Sequence, residues 1–334
     1  MGRRTKISYL INFIALLVVY AIVFTLIETE SISRYWSSLI ILICINIIMA
    51  TSLNFSTGFL GQLVLGHAGF MAIGAYTAAT IGIALSGAGF PALPAIIISV
   101  FSGGVLAAFS GIIIGIPALR LRGDYLAIMT LAFGEIVRII INNLEFTGGA
   151  KGFRGIPRLM NFTYVYFFMI ACVAFLMLLA RSRHGRAIIS IRENEIAAEA
   201  VGISSTRYKV TGFALSAMIG GIGGGLFAFQ MGFLQPTMFG FMKSVDILVM
   251  VVLGGMGSMT GSVIAAIVFT WLPEALREFN EYRMVAYAVL LIVMMIVRPQ
   301  GLFGTREFGF SKLMRKIFNK TKKIDTESLK GGDS

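Results

Sequence analysis

Charged residues are scarce in this chain: Asp, Glu, Lys and Arg together make up 13% of it, against ~25% in typical soluble proteins. Hydrophobic residues make up 57%, and the mean hydropathy is +0.86. A soluble core of this size could not bury so much apolar surface, which excludes a soluble globular protein. Several apolar runs reach the length of about 18 residues or more that a membrane-spanning helix needs.

Cysteine and histidine are also rare. Cys44 and Cys172 are the only cysteines, both lie inside apolar runs, and the chain has two histidines. Without a Cys–Cys spacing motif, a structural zinc site is excluded. No lysine follows a glycine, so the chain lacks the Gly-Lys-Ser/Thr loop that cradles nucleotide phosphates. We therefore expect no metal, no cofactor and no ATP hydrolysis by this chain, and hence no enzyme.

Positive charge is in excess, with a formal net charge of +12. No basic folded module lies outside the apolar runs, so nucleic-acid binding is not expected. Lys and Arg cluster instead at the N-terminus, at 120–122, in 181–209 and in 298–334. The positive-inside rule places these segments in the cytoplasm. The acidic connections at 28–30 and 273–282 then face outward.

The apolar runs predict an all-α polytopic membrane protein with a bundle of about ten transmembrane helices. The first run is of spanning length and lacks a cleavage site, so it is predicted to be a retained helix rather than a signal peptide. Cytoplasmic termini require an even number of crossings. Ten result if 245–272 crosses twice, turning near 254–261, and eight if the Gly-rich runs 58–86 and 245–272 are both re-entrant. The membrane domain is predicted to cover 1–300, followed by a basic cytoplasmic tail at 301–334. The runs lie at about 8–27, 36–55, 58–86, 92–119, 125–142, 162–180, 210–230, 245–272 and 284–297.

One charged insert, residues 181–209, interrupts the apolar sequence. Within it, Glu193 to Val201 is rich in Ala, Ile and Glu and has no internal Gly or Pro, which favours a helix. Gly202 stands where a helix C-cap is expected. The apolar positions, among them Ile196 and Ala197, fall near one face. The insert is thus predicted to present a short amphipathic helix in the cytoplasm. That helix lies either on lipid headgroups or against another protein, and its small residues favour the protein.

Several blocks of the sequence, in the same order, resemble the branched-chain amino acid permeases of ABC importers of the LivM type. The resemblance covers most of the chain. The block in the insert, with arginine, acid, EIAAEA, Gly and TRYK, resembles the cytoplasmic coupling segment of these permeases. The blocks are RENEIAAEAVGISSTRYKVTGFALSA (192–217), LNFSTGFLGQLVLGHAGFMAIGAYTAA (53–79), LRLRGDYLAIMTLAFGEIVRIIINN (119–143), TGGAKGFRGIP (147–157), LVMVVLGGMGSMTGSVIAA (248–266) and RPQGLFG (298–304).

The resemblance implies a permease subunit in the bacterial inner membrane, surrounded by lipid. It would translocate branched-chain amino acids, paired with a second, LivH-like permease subunit. Two ATPase subunits would bind the ATP, and a periplasmic binding protein would deliver the substrate. Related permeases for urea, short amides or another small solute are the close alternative. The residues expected to couple to the ATPase are Arg192, Glu195, Ile196, Ala197, Ala198, Glu199 and Gly202.

An alternative from a different class is a stand-alone carrier driven by an ion gradient. Such carriers usually bury acidic residues for the coupling ion. The candidates here are Glu135, which has Arg138 at i+3 on the same helix face, and Asp246 at the start of a span. The Glu135–Arg138 pair is interpreted rather as neutralising itself, and Asp246 as lying at the membrane interface.

Two glycine-rich stretches, around 58–74 and 254–261, have two possible explanations. Their small residues are typical of close helix packing. Interrupted segments in the two halves of a transporter also flank the substrate route, and neighbouring aromatic residues would suit an aliphatic substrate. The residues predicted to line a route on this second explanation are Gly66, His67, Gly69, Phe70, Tyr76, Gly254, Gly255 and Gly257.

Overall fold

A computed structural model describes residues 3–29, 33–121 and 123–276, together with positions 282, 285, 288, 289, 292, 296, 301 and 304. Within this part of the chain the regular structure is helical, and a single isolated bridge, between Phe153 and Leu234, is the only β pairing. The α-helices are α1 (Arg3–Glu28), α2 (Arg34–Asn54), α3 (His67–Gly87), α4 (Ala92–Ala118), α5 (Asp124–Asn143), α6 (Phe162–Arg181), α7 (Arg183–Glu193), α8 (Glu195–Ala200), α9 (Ser205–Met231), α10 (Phe241–Gly254) and α11 (Met259–Ala275).

Several of these helices have the length and composition of membrane spans. Among the described residues, 6 helical segments are long and apolar enough to cross a bilayer. Two shorter apolar segments accompany them, Ile14–Glu28, which is part of α1, and Met259–Ala275, which is α11. The prediction of an all-α polytopic membrane protein is therefore confirmed. The six segments are Arg34–Phe59, His67–Gly87, Ala92–Ala118, Phe162–Arg181, Ser205–Met231 and Pro236–Gly254.

The chain divides into two units, of which Arg34–Arg306 is the larger, and α1 belongs to the other. Helix α1 has 26 residues, enough to span a bilayer by itself. The predicted boundary between a membrane domain and a tail at 301 falls almost entirely outside the described residues. The same holds for most of the apolar run at 284–297.

Helix α9 lies at the centre of the larger unit and packs against α2, α3 and α4. Every residue from 219 to 229 is buried. A Cβ atom built on Gly74 of α3 would lie 2.0 Å from the carbonyl oxygen of Gly221, and one built on Gly224 would lie 2.0 Å from that of Met71. Side chains cannot occupy such space, so glycine at these crossings lets the helix backbones touch. The glycines of α9 thereby hold three neighbouring helices in place.

Both Gly-rich runs are broken, as predicted. The first run begins inside the π-helical turn at Phe55–Phe59 that follows α2, passes through an irregular stretch at 60–66, and continues as α3; the first break is therefore residues 55–66. The second is divided into α10 and α11 by a turn at 255–258. Gly255 and Gly257 have φ angles of 104° and 90°, a conformation that side-chain-bearing residues rarely adopt. The turn predicted near 254–261 is therefore confirmed.

Because α9 contacts its neighbouring helices so closely, even a glycine-to-alanine substitution in α9 is expected to destabilise the protein. Gly224→Ala places a methyl group against the carbonyl of Met71 and is expected to cost about 1–3 kcal/mol of stability through overpacking. Thermal unfolding of the purified protein measures the loss as a lower Tm. Gly87→Ala is the matched control, because a Cβ at Gly87 meets nothing within 4 Å. Equal Tm values for the two variants would contradict this packing.

Candidate functional site

The charged insert folds into two helices, α7 and α8, joined at Asn194. The Asn194 side chain caps α8 by accepting a hydrogen bond from the backbone N–H of Ala197 at 3.0 Å, which satisfies one of the free donors at a helix start. The helix predicted at 193–201 is therefore present, somewhat shorter, as α8. The sequence analysis did not predict α7, which precedes it at Arg183–Glu193.

Gly202 ends α8 as predicted. Its φ angle is +85°, its N–H bonds to the carbonyl of Glu199 at 2.9 Å, and the N–H of Ile203 bonds to that of Ala198 at 3.1 Å. This pair of bonds is the Schellman motif, which requires a left-handed residue at the position after the cap and so favours glycine. The cap fixes where α8 stops and how α9 begins.

The outer face of α8 is apolar and exposed. Ile196 and Val201 are 78% and 76% exposed, and Ala197, Glu199 and Ala200 are exposed beside them. A solvated surface helix normally turns its large aliphatic residues inward. Ile196 and Val201 instead face outward here.

The inner face of α8 is attached to the membrane helices. Ala198 is buried, and the Glu195 carboxylate accepts a hydrogen bond from Lys209 Nζ of α9 at 2.6 Å. Lys209 is itself buried, so the pair is partly shielded from solvent and charge-assisted. Arg192, at the end of α7, also points inward and donates to the carbonyl oxygen of Gly58 at 2.6 Å. Among the predicted coupling residues, Arg192, Glu195 and Ala198 therefore attach the α7–α8 segment to the membrane helices. The other predicted coupling residues are exposed.

The two breaks meet beside Arg192. A Cβ built on Gly58 would lie 2.1 Å from the backbone nitrogen of Gly257, so the π-helical turn and the 255–258 turn are in backbone contact. Asn54, fully buried, joins them further: its Oδ1 accepts from Gly257 N–H at 2.8 Å, and its Nδ2 donates to the carbonyl of Ser258 at 2.8 Å. The sequence analysis missed Asn54, although an amide at the end of an apolar run is a usable signal, since buried amides need partners.

Two further backbone donors, at the first break and at the start of α3, bond to side chains of other helices. The N–H of Leu65 donates to Thr130 Oγ1 at 3.0 Å, and the N–H of Ala68 donates to Ser244 Oγ at 3.1 Å. Irregular backbone at membrane depth is tolerated where protein or a water-filled cavity surrounds it. Here α5 and α10 supply the partners.

The residues predicted to line a substrate route pack against different parts of the structure. Gly66 and Gly69 pack on α5, where their Cβ atoms would lie 1.8 Å from Thr130 O and 2.8 Å from Gly134 Cα. His67 is buried with Nε2 at 2.7 Å from Ser52 Oγ, and Phe70 packs against aromatic rings of α5 and α9. These contacts agree with the explanation by close helix packing. That these four residues line a substrate route stays a prediction.

The rest of that predicted set lies in two places. Tyr76 stacks on Phe153 of the loop between α5 and α6. Gly254 faces Gly261 across the second break, and a Cβ on Gly255 would lie 2.4 Å from the carbonyl oxygen of Gly304. Among the predicted residues of the second break, Gly257 lies against the first break, at Gly58.

The Glu135–Arg138 ion pair of α5 also contacts the start of α10. Arg138 Nε donates to Glu135 Oε2 at 2.7 Å, and the N–H of Phe241 donates to Glu135 Oε1 at 3.1 Å. Glu135 thus caps the start of α10, where a carboxylate is favoured by the helix dipole. Among the described residues no group of three or more His, Cys, Asp and Glu side chains could hold a metal ion.

Comparison with known proteins identifies the family. The model of the branched-chain amino acid transport system permease component matches residues 35–298. The high-affinity branched-chain amino acid transport system permease protein LivM of Escherichia coli K12 is 41% identical over 307 residues, which cover 81% of this chain and 70% of that protein. LivM of Salmonella typhimurium LT2 is 42% identical over 294 residues, covering 77% and 67%. LivH of Escherichia coli K12 is 30% identical over 141 residues, covering 41% and 45%. The chain therefore belongs to the family of branched-chain amino acid transport system permease components.

Proposed function

We propose that this protein is a transmembrane permease subunit of an ABC importer and translocates branched-chain amino acids across the bacterial inner membrane. Its identity of 41% over most of the chain to a permease for these substrates carries the proposal. The second permease subunit would be LivH-like, because LivH proteins share part of the same sequence. Two ATPase subunits and a periplasmic binding protein would complete the importer.

Reconstitution in liposomes tests this function. The complete importer is expected to take up leucine when ATP is supplied on the side of the ATPase subunits. Liposomes that contain this chain alone are expected to take up none, whatever ion gradient is imposed. Gradient-driven uptake by the chain alone would contradict the proposal in favour of an ion-coupled carrier.

The exposed face of α8 is the proposed docking site for the ATPase. It carries Ile196 and Val201 outward between exposed alanines, and small side chains allow a partner backbone to approach closely. The Glu195–Lys209 pair and Arg192 connect this face to the membrane helices. A push or pull on α8 can therefore reach the interior of the bundle.

Ala197→Glu is expected to abolish ATP-driven uptake while membrane insertion and expression stay normal. The added carboxylate would have to be buried, unpaired, against the partner, which is strongly unfavourable. Co-purification of the ATPase subunits and leucine uptake measure the effect. Ala197→Ser is the matched control, because it stays small and is expected to keep both. Normal ATPase binding by the Ala197→Glu variant would show that α8 is not the docking site.

Ten crossings with both termini in the cytoplasm are the proposed topology. Helices α10 and α11 run in succession through the turn at 255–258, as a double crossing requires. The insert that holds α7 and α8 would lie on the cytoplasmic side with the other basic segments.

Site-specific labels test this topology. A label at Thr206 and one after Ser334 are expected to report the cytoplasm, and one at Glu278, which is outside the described residues, the opposite side. Accessibility to a membrane-impermeant reagent in whole cells and in inverted vesicles distinguishes the two sides. A cytoplasmic signal at Glu278 would remove the double crossing and reduce the count to eight or fewer.

The substrate route is proposed to pass the meeting point of the two breaks. In the 255–258 turn, Met256 is 49% exposed while its neighbours are buried. A flexible thioether in this place suits an aliphatic substrate.

Met256→Trp is expected to reduce leucine uptake at an unchanged Tm, because it adds bulk to exposed space without overpacking the interior. Ile113→Trp is the matched control, since Ile113 is similarly exposed on α4 away from the breaks. Normal uptake by the Met256→Trp variant, or an equal loss in both variants, would place the route elsewhere.

A further inference from the structure

Arg192 occupies the junction between the docking helix and the interior. It is the residue before the last of α7, two positions ahead of the Asn194 cap that starts α8. Its side chain is 29% exposed, although the insert around it is strongly polar. A guanidinium turned inward from a cytoplasmic segment must find acceptors there, because burying it unpaired is costly.

The contacts of Arg192 reach both breaks. One terminal nitrogen of its guanidinium donates to Gly58 O at 2.6 Å, and that nitrogen would lie 3.2 Å from a Cβ on Gly257. The aliphatic part of the side chain lies under Gly61, where a Cβ would be 2.7 Å from Arg192 Cγ. The guanidinium is held from the other side by the Glu193 carboxylate, to which its Nε and second terminal nitrogen both donate.

The acceptor Gly58 lies in the π-helical turn, where the regular hydrogen-bond ladder is already interrupted. Such turns are rare and occur frequently at functional sites. Gly58 in turn touches Gly257, and Asn54 links the same two segments through two further hydrogen bonds. A displacement of α7 and α8 would therefore act on both breaks through one side chain.

We infer that Arg192 is a positioning residue that transmits movement of the α7–α8 segment to the two broken segments at Phe55–Phe59 and 255–258. The inference rests on the proposed function, since it takes the movement to originate in ATPase subunits docked on α8. It assigns to Arg192 an inward role, distinct from the exposed residues that contact the partner. A lysine cannot replace it fully, because a single ammonium lacks the planar fork that binds Gly58 O and Glu193 together.

The experiment follows the 255–258 turn directly. A cysteine introduced by Met256→Cys, at an exposed position, is labelled with a water-soluble maleimide in the complete importer, with and without a non-hydrolysable ATP analogue. Cys44 and Cys172 are buried, so they contribute little background. With Arg192 present, the nucleotide is expected to change the labelling rate. With Arg192→Met the change is expected to disappear while the ATPase subunits still co-purify, and with Arg192→Lys it is expected to be partial.

Transport is measured in otherwise identical preparations that keep Met256, because Met256 lies on the proposed substrate route. Loss of one charge-assisted hydrogen bond in the coupling path is expected to lower leucine uptake about tenfold in the Arg192→Met variant, with ATP hydrolysis retained. A purely structural role would instead lower Tm and ATPase binding together. Arg186→Met is the matched control on α7, because Arg186 is exposed and its side chain donates within the insert, to Arg181 O at 2.9 Å; it is expected to behave as the unsubstituted chain.

The outcomes separate the inference from the function on which it rests. If the unsubstituted chain binds no ATPase subunits, the proposed function fails, and this inference with it. If that complex forms but the labelling rate is insensitive to nucleotide, or if the Arg192→Met variant responds as the unsubstituted chain does, the inference alone is wrong.

Discussion

Within a bilayer, backbone polar groups must be satisfied by the protein itself wherever the chain leaves a helix, and the rest of this structure depends on that constraint. At the two breaks, side chains from other helices satisfy such groups. Thr130, Ser244 and Asn54 accept hydrogen bonds from the backbone N–H groups of Leu65, Ala68 and Gly257. Each partner must come within hydrogen-bond distance of the backbone. The segments around the breaks are consequently fixed to one another.

Glycine makes that proximity possible. At Gly58, Gly66 and Gly257 another backbone or a polar side chain fills the space that a Cβ would need, or lies directly beside it. The same property lets α9 lie in contact with α3 along its length. Packing thus explains the glycines whose Cβ space is filled by a neighbour, whereas Met256 in the second break is 49% exposed.

The α7–α8 segment, proposed to lie on the cytoplasmic side, is stabilised by a few specific side-chain contacts. Helix α8 is too short to be stable in water by itself. Its Asn194 cap, its Gly202 cap and the Glu195–Lys209 ion pair stabilise it. Because these contacts hold the helix, its aliphatic face remains exposed. The same contacts join α8 to the membrane helices, which is what the proposed docking of a partner on α8 requires.

Much of this could be predicted from sequence because it depends on local pattern. The apolar runs predicted the helices, and Gly202 predicted the end of α8. The turn in the run 245–272 followed from its glycines and from the parity of the crossings. Long-range pairing could not be predicted in the same way. Nothing near Arg192 in the sequence indicates Gly58 as its acceptor, 134 residues away, and the partner of Asn54 is more distant still. The pairing of Glu135 with the start of α10 also depends on tertiary packing that no periodicity encodes.

The central claim is that energy enters this protein through the exposed face of α8. A photoactivatable cross-linking residue in place of Ile196, in the complete importer in its native membrane, tests it most directly. The account predicts a cross-link between position 196 and the ATPase subunit that is identifiable by mass spectrometry, and none from the same residue placed at Ile113. Cross-links from position 196 to lipid alone, in a complex that contains the ATPase, would contradict it.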